Sequence, residues 1–93
     1  MRNGLHESPS GTKHWYLNNQ RHRIDGPAVE YAYGTKLWYL YGKCHREDGP
    51  AVEYPDGNKE WHLNDIVYSR EDFYKELYKR GLIDVKQLVL ELL

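Results

Sequence analysis

The chain has little of what would mark several broad protein classes. It contains one cysteine, Cys44, so no internal disulfide is possible and stability must come from packing, as expected in a reducing compartment. No apolar run approaches the roughly 18 residues of a membrane-spanning helix. The opening stretch MRNGLHESPSG has no apolar segment of the kind that marks a secretory signal, so the expected location is the cytoplasm. Neither sign of charge prevails: 13 Lys and Arg stand against 14 Asp and Glu, a formal charge of −1. That balance removes the global attraction to nucleic acid or anionic lipid that a strongly basic protein would have. A chain of 93 residues implies one domain, residues 1–93, burying roughly 60 to 65% of the surface it exposes when unfolded.

What the chain has in excess is aromatic. Nine Tyr and three Trp favour sheet with amphipathic rings and argue against disorder beyond the first ten or so residues. Self-similarity organises them. Residues 11–33 read GTKHWYLNNQRHRIDGPAVEYAY and residues 34–56 read GTKLWYLYGKCHREDGPAVEYPD, a period of 23 with 15 identical positions. A third copy begins at Gly57 as GNKEWHLND, keeps Lys59, Trp61 and Leu63, and departs from the pattern at Ile66, so residues 57–68 form a partial copy. Residues 1–10 are a leader or the vestige of an earlier copy.

Tyr41-Gly42 and its counterparts Asn18-Asn19 and Asn64-Asp65 predict two-residue primed turns, because Gly, Asn and Asp tolerate positive φ. Asp56-Gly57 suggests another. A motif translated along a sheet needs an even number of antiparallel strands, so two are expected per copy. One runs from Lys36 to Leu40. The other is long, from Lys43 to Tyr54, and bends at Asp48-Gly49-Pro50, where proline lacks a ladder donor. The first turn pairs Trp38 with His45 and Trp15 with His22. A two-residue turn at Asp56-Gly57 pairs Trp61 with Val52, and by translation Trp38 with Val29. One face is then expected to collect Trp15, Trp38, Trp61, Leu17, Leu40, Leu63, Val29, Val52, Tyr31 and Tyr54. The opposite face is expected to carry His14, Tyr16, Ala28, Glu30, Leu37, Tyr39, Ala51, Glu53, Glu60 and His62.

After Leu63 the apolar spacing turns helical, making residues 69–93 a cap on the open end of the sheet. Ser69 and Asp84 are expected N-caps, with Phe73, Tyr74, Leu77 and Tyr78 forming one stripe that ends at Gly81, and Val85, Leu88, Val89 and Leu92 forming another. The fold class expected is α+β: an antiparallel β-hairpin repeat sheet capped by one or two C-terminal helices.

The residues GTKxWYL and HRxDGPAVEY, with the hairpin turns between them, resemble a divergent form of MORN-type repeats, similar to repeats common in bacteriophage and bacterial proteins, over about residues 11 to 65. The resemblance implies stacked β-hairpins, and binding or scaffolding instead of catalysis. The copies depart from the usual YxGxxxxGxxxG pattern, which sets aside the lipid-binding role of other members. It further implies a small phage-encoded inhibitor acting on a host enzyme or defence complex.

No constellation of catalytic residues emerges. His45-Arg46-Glu47-Asp48 has the letters of a kinase catalytic loop, yet no Gly-rich loop or metal-binding Asp accompanies it. The same group recurs as His22, Arg23 and Asp25, which points to framework: Arg46 and Asp48 supporting the bend, His45 packing on Trp38. His22 and His45 are expected about 10 Å apart, too far for two ligands of one zinc. Cys44 has no activating neighbour on its face, and Ser69 is explained as a cap. With no catalytic, cofactor or metal residue expected, the leading expectation is a non-enzymatic protein-binding module whose partner is a host protein or complex. Its contact residues are His14, Tyr16, Glu30, Tyr39, Glu53 and His62, aromatic anchors with a polar rim. The acidic helix residues Glu71, Asp72, Glu76 and Glu91 offer a second surface. Nucleic-acid binding by base stacking on the aromatic face and homodimerisation through Leu88 to Leu93 are the alternatives.

Overall fold

Three two-residue turns set the strand ends. In the computed structural model, which covers residues 1–93, both residues of Asn18-Asn19, Tyr41-Gly42 and Asn64-Asp65 have positive φ, between 48° and 80°, the signature of the primed turn that suits the twist of paired strands. The strands are β1 (Gly4–Glu7), β2 (Lys13–Leu17), β3 (Gln20–Arg21), β4 (Val29–Glu30), β5 (Lys36–Leu37), β6 (Tyr39–Leu40), β7 (Lys43–Cys44), β8 (Val52–Glu53), β9 (Lys59–Leu63) and β10 (Ile66–Tyr68), followed by helices α1 (Arg70–Lys79) and α2 (Val85–Leu92). The main sheet has the order β1-β2-β4-β5-β8-β9-β10 with β3 on β2, while β6 and β7 form a two-stranded ribbon. Every pairing is antiparallel. The architecture is α+β, a hairpin sheet with two C-terminal helices.

The long strand of the second copy is present in two pieces. Cys44 lies opposite Tyr39 and Val52 opposite Leu37, and His45 N–H donates to the Trp38 carbonyl at 3.0 Å. Residues 47–50 loop out between them, while Arg46 and Ala51 stay bonded to the neighbouring strands. Arg46 fastens this loop: its guanidinium donates to Asp48 (2.8 Å), to the Pro50 carbonyl (3.0 Å) and to Glu53 (3.1 Å). The same guanidinium sits 4.0 Å from the centre of the Trp38 ring, as Arg23 sits 3.9 Å from Trp15. The expected support of the bend by Arg46 and Asp48 holds, but arginine, not His45, lies over the tryptophan ring.

The other connection corrects the expected register. Tyr54 N–H donates to the Asn58 carbonyl and Gly57 N–H to the Tyr54 carbonyl, at 2.9 and 3.1 Å, so the loop has three residues, Pro55, Asp56 and Gly57, with Gly57 at φ +91°. Such a loop ends in a left-handed glycine and inserts one residue relative to a primed turn. One residue flips every side chain beyond it to the other face. Val52 therefore lies opposite Glu60, not Trp61, and Val29 opposite Leu37, not Trp38. Val29, Val52, Tyr31 and Tyr54 leave the tryptophan face expected for them. Glu30 and Glu53 move onto it. There the register lines up opposite charges across six strand positions, Glu7, Lys13, Glu30, Lys36, Glu53 and Lys59, an alternation that favours this register over its neighbours.

The first turn region repeats the same loop: Ser8 N–H donates to the Thr12 carbonyl and Gly11 N–H to the Ser8 carbonyl, both at 2.9 Å. His6 and Glu7 thus occupy the places of Val29 and Glu30, and β1 is the second half of an earlier copy. It runs straight because it has no excursion like residues 47–50.

At the C-terminal end the helices cover the tryptophan face. Ser69 Oγ accepts from Asp72 N–H at 3.1 Å and Asp84 Oδ1 from Gln87 N–H at 2.8 Å, so both expected caps form. Gly81, at φ +75°, closes α1, with Leu82 N–H donating to the Leu77 carbonyl at 2.9 Å. Leu63, Phe73, Tyr74 and Leu77 are buried, and Trp61, Tyr68, Leu88 and Leu92 pack against them. Tyr78, Val85 and Val89 are exposed instead of joining their stripes. A second small cluster, Cys44, Ala51 and Val52, is packed by Leu37, Trp38 and Tyr39.

Two stability outcomes follow from this packing. Glu53→Lys places a third lysine between Lys36 and Lys59 and strips Arg46 of one carboxylate. Urea unfolding should register a loss of about 1 kcal/mol or more, shrinking at high salt only in its Coulombic part. His45→Ala leaves the Asn64 N–H that donates to its Nδ1 at 3.0 Å without that acceptor, and should cost about 1 to 3 kcal/mol in the same assay.

Candidate functional site

With the helices on the tryptophan side, no helix covers the other face of the sheet, although Val29 and Val52 at its centre are buried. Primed-turn parity puts His14, Tyr16 and Arg21 on this face, and the ladder continues it through Val29, Leu37, Tyr39, Val52, Glu60 and His62. Of the residues expected to bind a partner, His14, Tyr16, Tyr39 and His62 share it. Glu30 and Glu53 do not: they lie on the tryptophan face opposite lysines.

The open face has two chemically distinct ends. At the N-terminal end His14 stacks on Tyr16 with centroids 6.0 Å apart, and Tyr31, expected on the other face, meets His14 edge-on at 6.4 Å. His6 of β1 meets Tyr16 edge-on at 5.3 Å. Two arginines join this group. Arg2 lies 5.3 Å from the Tyr16 ring centre and Arg21 lies 5.8 Å from that of Tyr39. The pKa of His14 is held below its usual value, first by burial and then by the charges of Arg21, Arg2 and His6.

At the other end Tyr54 Oη donates to Glu60 at 2.8 Å, and the His62 ring lies 3.0 Å from the other Glu60 oxygen. These hydrogen bonds, that from His62 above all, hold the Glu60 carboxyl below the usual glutamate range, and the bond to Glu60 raises the Tyr54 hydroxyl. Between the two ends Cys44 is buried, its thiol pushed up to about 12 chiefly by burial and further by Asp65 and Glu60. A thiol so protonated is no nucleophile at neutral pH.

No three His, Cys, Asp or Glu side chains gather at metal-binding distance, and no helix is long and apolar enough to cross a membrane. His22 and His45 serve the framework. Tyr41 N–H donates to Nδ1 of His22 and Asn64 N–H to Nδ1 of His45, each at 3.0 Å.

Reading the sequence by strand alternation finds the four residues that share the open face but misses Arg2, Arg21 and Tyr31. Arg21 is accessible to that reasoning, since the Asn18-Asn19 turn sets it opposite Tyr16. Arg2 and Tyr31 depend on the half-copy β1 and on the three-residue loops.

Glu60 gives the face a pH signature. Its pKa is lower folded than unfolded, so its stabilising contribution is complete above the usual glutamate range and is lost as pH falls through the folded value. The stability gap between the wild-type chain and Glu60→Gln should be widest near neutrality and narrow progressively below about pH 4 in denaturant titrations. Compared with known proteins, the chain matches no family model, no curated protein and no solved structure.

Proposed function

We propose that the chain is a non-enzymatic protein-binding module that works by occlusion: its open sheet face docks on a partner protein and blocks access to it. The observation that carries this reading is the aromatic cluster on the face that no helix covers. Tyr16, Tyr31 and Tyr39 stand on a hydrogen-bonded sheet, with His14 and His62 at half-buried positions, while both helices pack on the far side. Rigid aromatic side chains of this kind supply large contact area at low conformational cost, and polar groups around them fix orientation. The histidines and arginines of the HRxDGP segments support the reading by a different route. Each is occupied in holding loops and turns, so the groups that most resemble catalytic residues are spent on the framework.

The resemblance of the repeats to those of bacteriophage proteins leads us to read the partner as a host protein or defence complex, met in the host cytoplasm. Affinity capture with the tagged chain from bacterial lysate, with and without nuclease and read by mass spectrometry, tests this. We expect one enriched protein that survives nuclease and is lost from the Tyr16→Ala/Tyr39→Ala variant. Enrichment that disappears with nuclease, or recovery of the chain's own copies alone, would overturn the reading.

A further inference from the structure

The protein carries six arginines, and four of them are neutralised by carboxylates: Arg23 with Asp25, Arg46 with Asp48 and Glu53, Arg70 with Glu91 and Arg80 with Glu76, all at 2.8 to 3.1 Å. Arg2 and Arg21 have no carboxylate partner. Both lie on the same corner of the open face, Arg2 over Tyr16, to whose hydroxyl it donates at 3.3 Å, and Arg21 over Tyr39. Beside Arg21 is a hollow of about 420 Å³ lined by Tyr16, Asn19, Gln20, Arg21, Tyr39 and Gly42, without one acidic group, and Arg2 reaches its Tyr16 wall.

We propose that this corner is a recognition site for an acidic segment of a partner protein, whose carboxylates pair with the two guanidinium groups while its chain lies across the tyrosines. This deepens the protein-binding reading and rests on it. A guanidinium backed by an aromatic ring keeps its N–H edges free and presents a planar fork that matches a carboxylate. The amide side chains of Asn19 and Gln20 line the same hollow. Both charges also reach His14, whose pKa is lowered first by burial and then by Arg21 and Arg2.

The repeat itself indicates that the charge of Arg21 is not there for the fold. One period after Arg21 stands the buried Cys44, and one period later Val67. The antiparallel pairing forms at all three places without needing a cation at the second or third. An acidic protein segment fits better than a nucleic acid because the face changes sign along its length: a polyanion crossing the strands from Arg21 toward the other edge meets Glu60, whereas a short segment ends before it.

The full-length, isotopically labelled chain would be titrated with octaglutamate peptide and followed by NMR, with octalysine and octathymidylate alongside. We expect octaglutamate to move the amide signals of Tyr16, Arg21, Tyr39 and Gly42 and not those of Leu63 or Phe73. The Arg2→Gln/Arg21→Gln variant should bind at least about tenfold more weakly and Arg21→Gln alone more weakly than the wild type, while Arg80→Gln, which removes one guanidinium elsewhere, should bind as the wild type. Unchanged backbone spectra certify that the variants fold. Absent binding, shifts centred elsewhere, equal weakening by Arg80→Gln, or tighter binding of octathymidylate would each overturn the proposal. The two readings fail separately. A captured partner protein that still binds the double variant sinks the corner and leaves protein binding standing. Capture of no protein by the wild type sinks protein binding itself.

Discussion

Each copy of the sheet is tied to the next through backbone N–H groups that a primed turn cannot satisfy within itself. The first turn residue donates to a side chain of the preceding strand: Asn18 to Asn3 Oδ1 at 2.9 Å, Tyr41 to His22 Nδ1 and Asn64 to His45 Nδ1, both at 3.0 Å. The second donates to a backbone carbonyl: Asn19 to Arg2, Gly42 to Arg21 and Asp65 to Cys44, at 2.9 to 3.0 Å. Unpaired backbone donors are costly wherever water is excluded, so a turn made in this way needs a neighbour with a correctly placed acceptor. The recurring histidine is that acceptor. Its chemistry demands an unprotonated Nδ1, which leaves Nε2 to carry the proton, and in His45 that nitrogen faces Glu47 at 2.8 Å. Asn3 does the same work where the preceding copy is reduced to β1.

A second constraint follows from the first. If a turn leans on the strand before it, the last turn in the chain has nothing after it to support, and the sequence is free to change there. It does so one period after Arg46. In the third copy Tyr68 stands where the earlier copies have His22 and His45, and Ser69 where they have Arg23 and Arg46. Ser69 caps α1, so the residue that would have begun a looped excursion begins a helix instead. The arginine that covers Trp15 and Trp38 is missing for Trp61, and α1 supplies the cover with Phe73 and Leu77. The helical cap and the arginine staple are two solutions to the exposure of one tryptophan position.

The legible part of the fold was the part governed by short-range turn chemistry. Asn-Asn, Tyr-Gly and Asn-Asp announce positive φ at both central positions, and Ser69 and Asp84 announce helix starts from spacing alone. The three-residue loops were not legible in the same way because Asp56-Gly57 is compatible with two turns. Pro55 before it suits the first central position of a type I turn, with Gly57 then taking the left-handed place. The error of one residue had a definite effect on the site. His14, Tyr16, Tyr39 and His62 lie on strands whose parity the primed turns control, and they share a face. Glu30 and Glu53 lie across the three-residue loops, where counting from a two-residue turn puts them on the wrong one. Arg2 and Arg21 escape the sequence for another reason: what distinguishes them is the lack of a carboxylate nearby, which depends on where all the other acids fold.

The distribution of differences between the copies separates framework from surface. The positions identical in the first two copies include every group that holds loops and strands: the Trp15 and Trp38 rings, the His22 and His45 acceptors, the Arg23 and Arg46 staples and the Asp-Gly-Pro loops. Four of the eight differences fall together at one turn, Asn18 to Arg21 against Tyr41 to Cys44, and two more at the three-residue loop, Ala32-Tyr33 against Pro55-Asp56. Drift on a surface without a role would scatter over all exposed strand positions, yet Lys13, Glu30, Lys36 and Glu53 keep their charges in both copies because the cross-strand alternation requires them. At such turns the repeat requires backbone geometry and leaves side chains free. Tyr41 illustrates this: it holds φ 50° where the other copies use Asn, a conformation that costs a non-glycine residue energy, and its ring packs on His22 at 4.4 Å. A framework built from recurring backbone and side-chain bonds thus leaves one end of the hairpins to vary, and that end borders the corner where the two unpaired arginines meet the tyrosines of the open face.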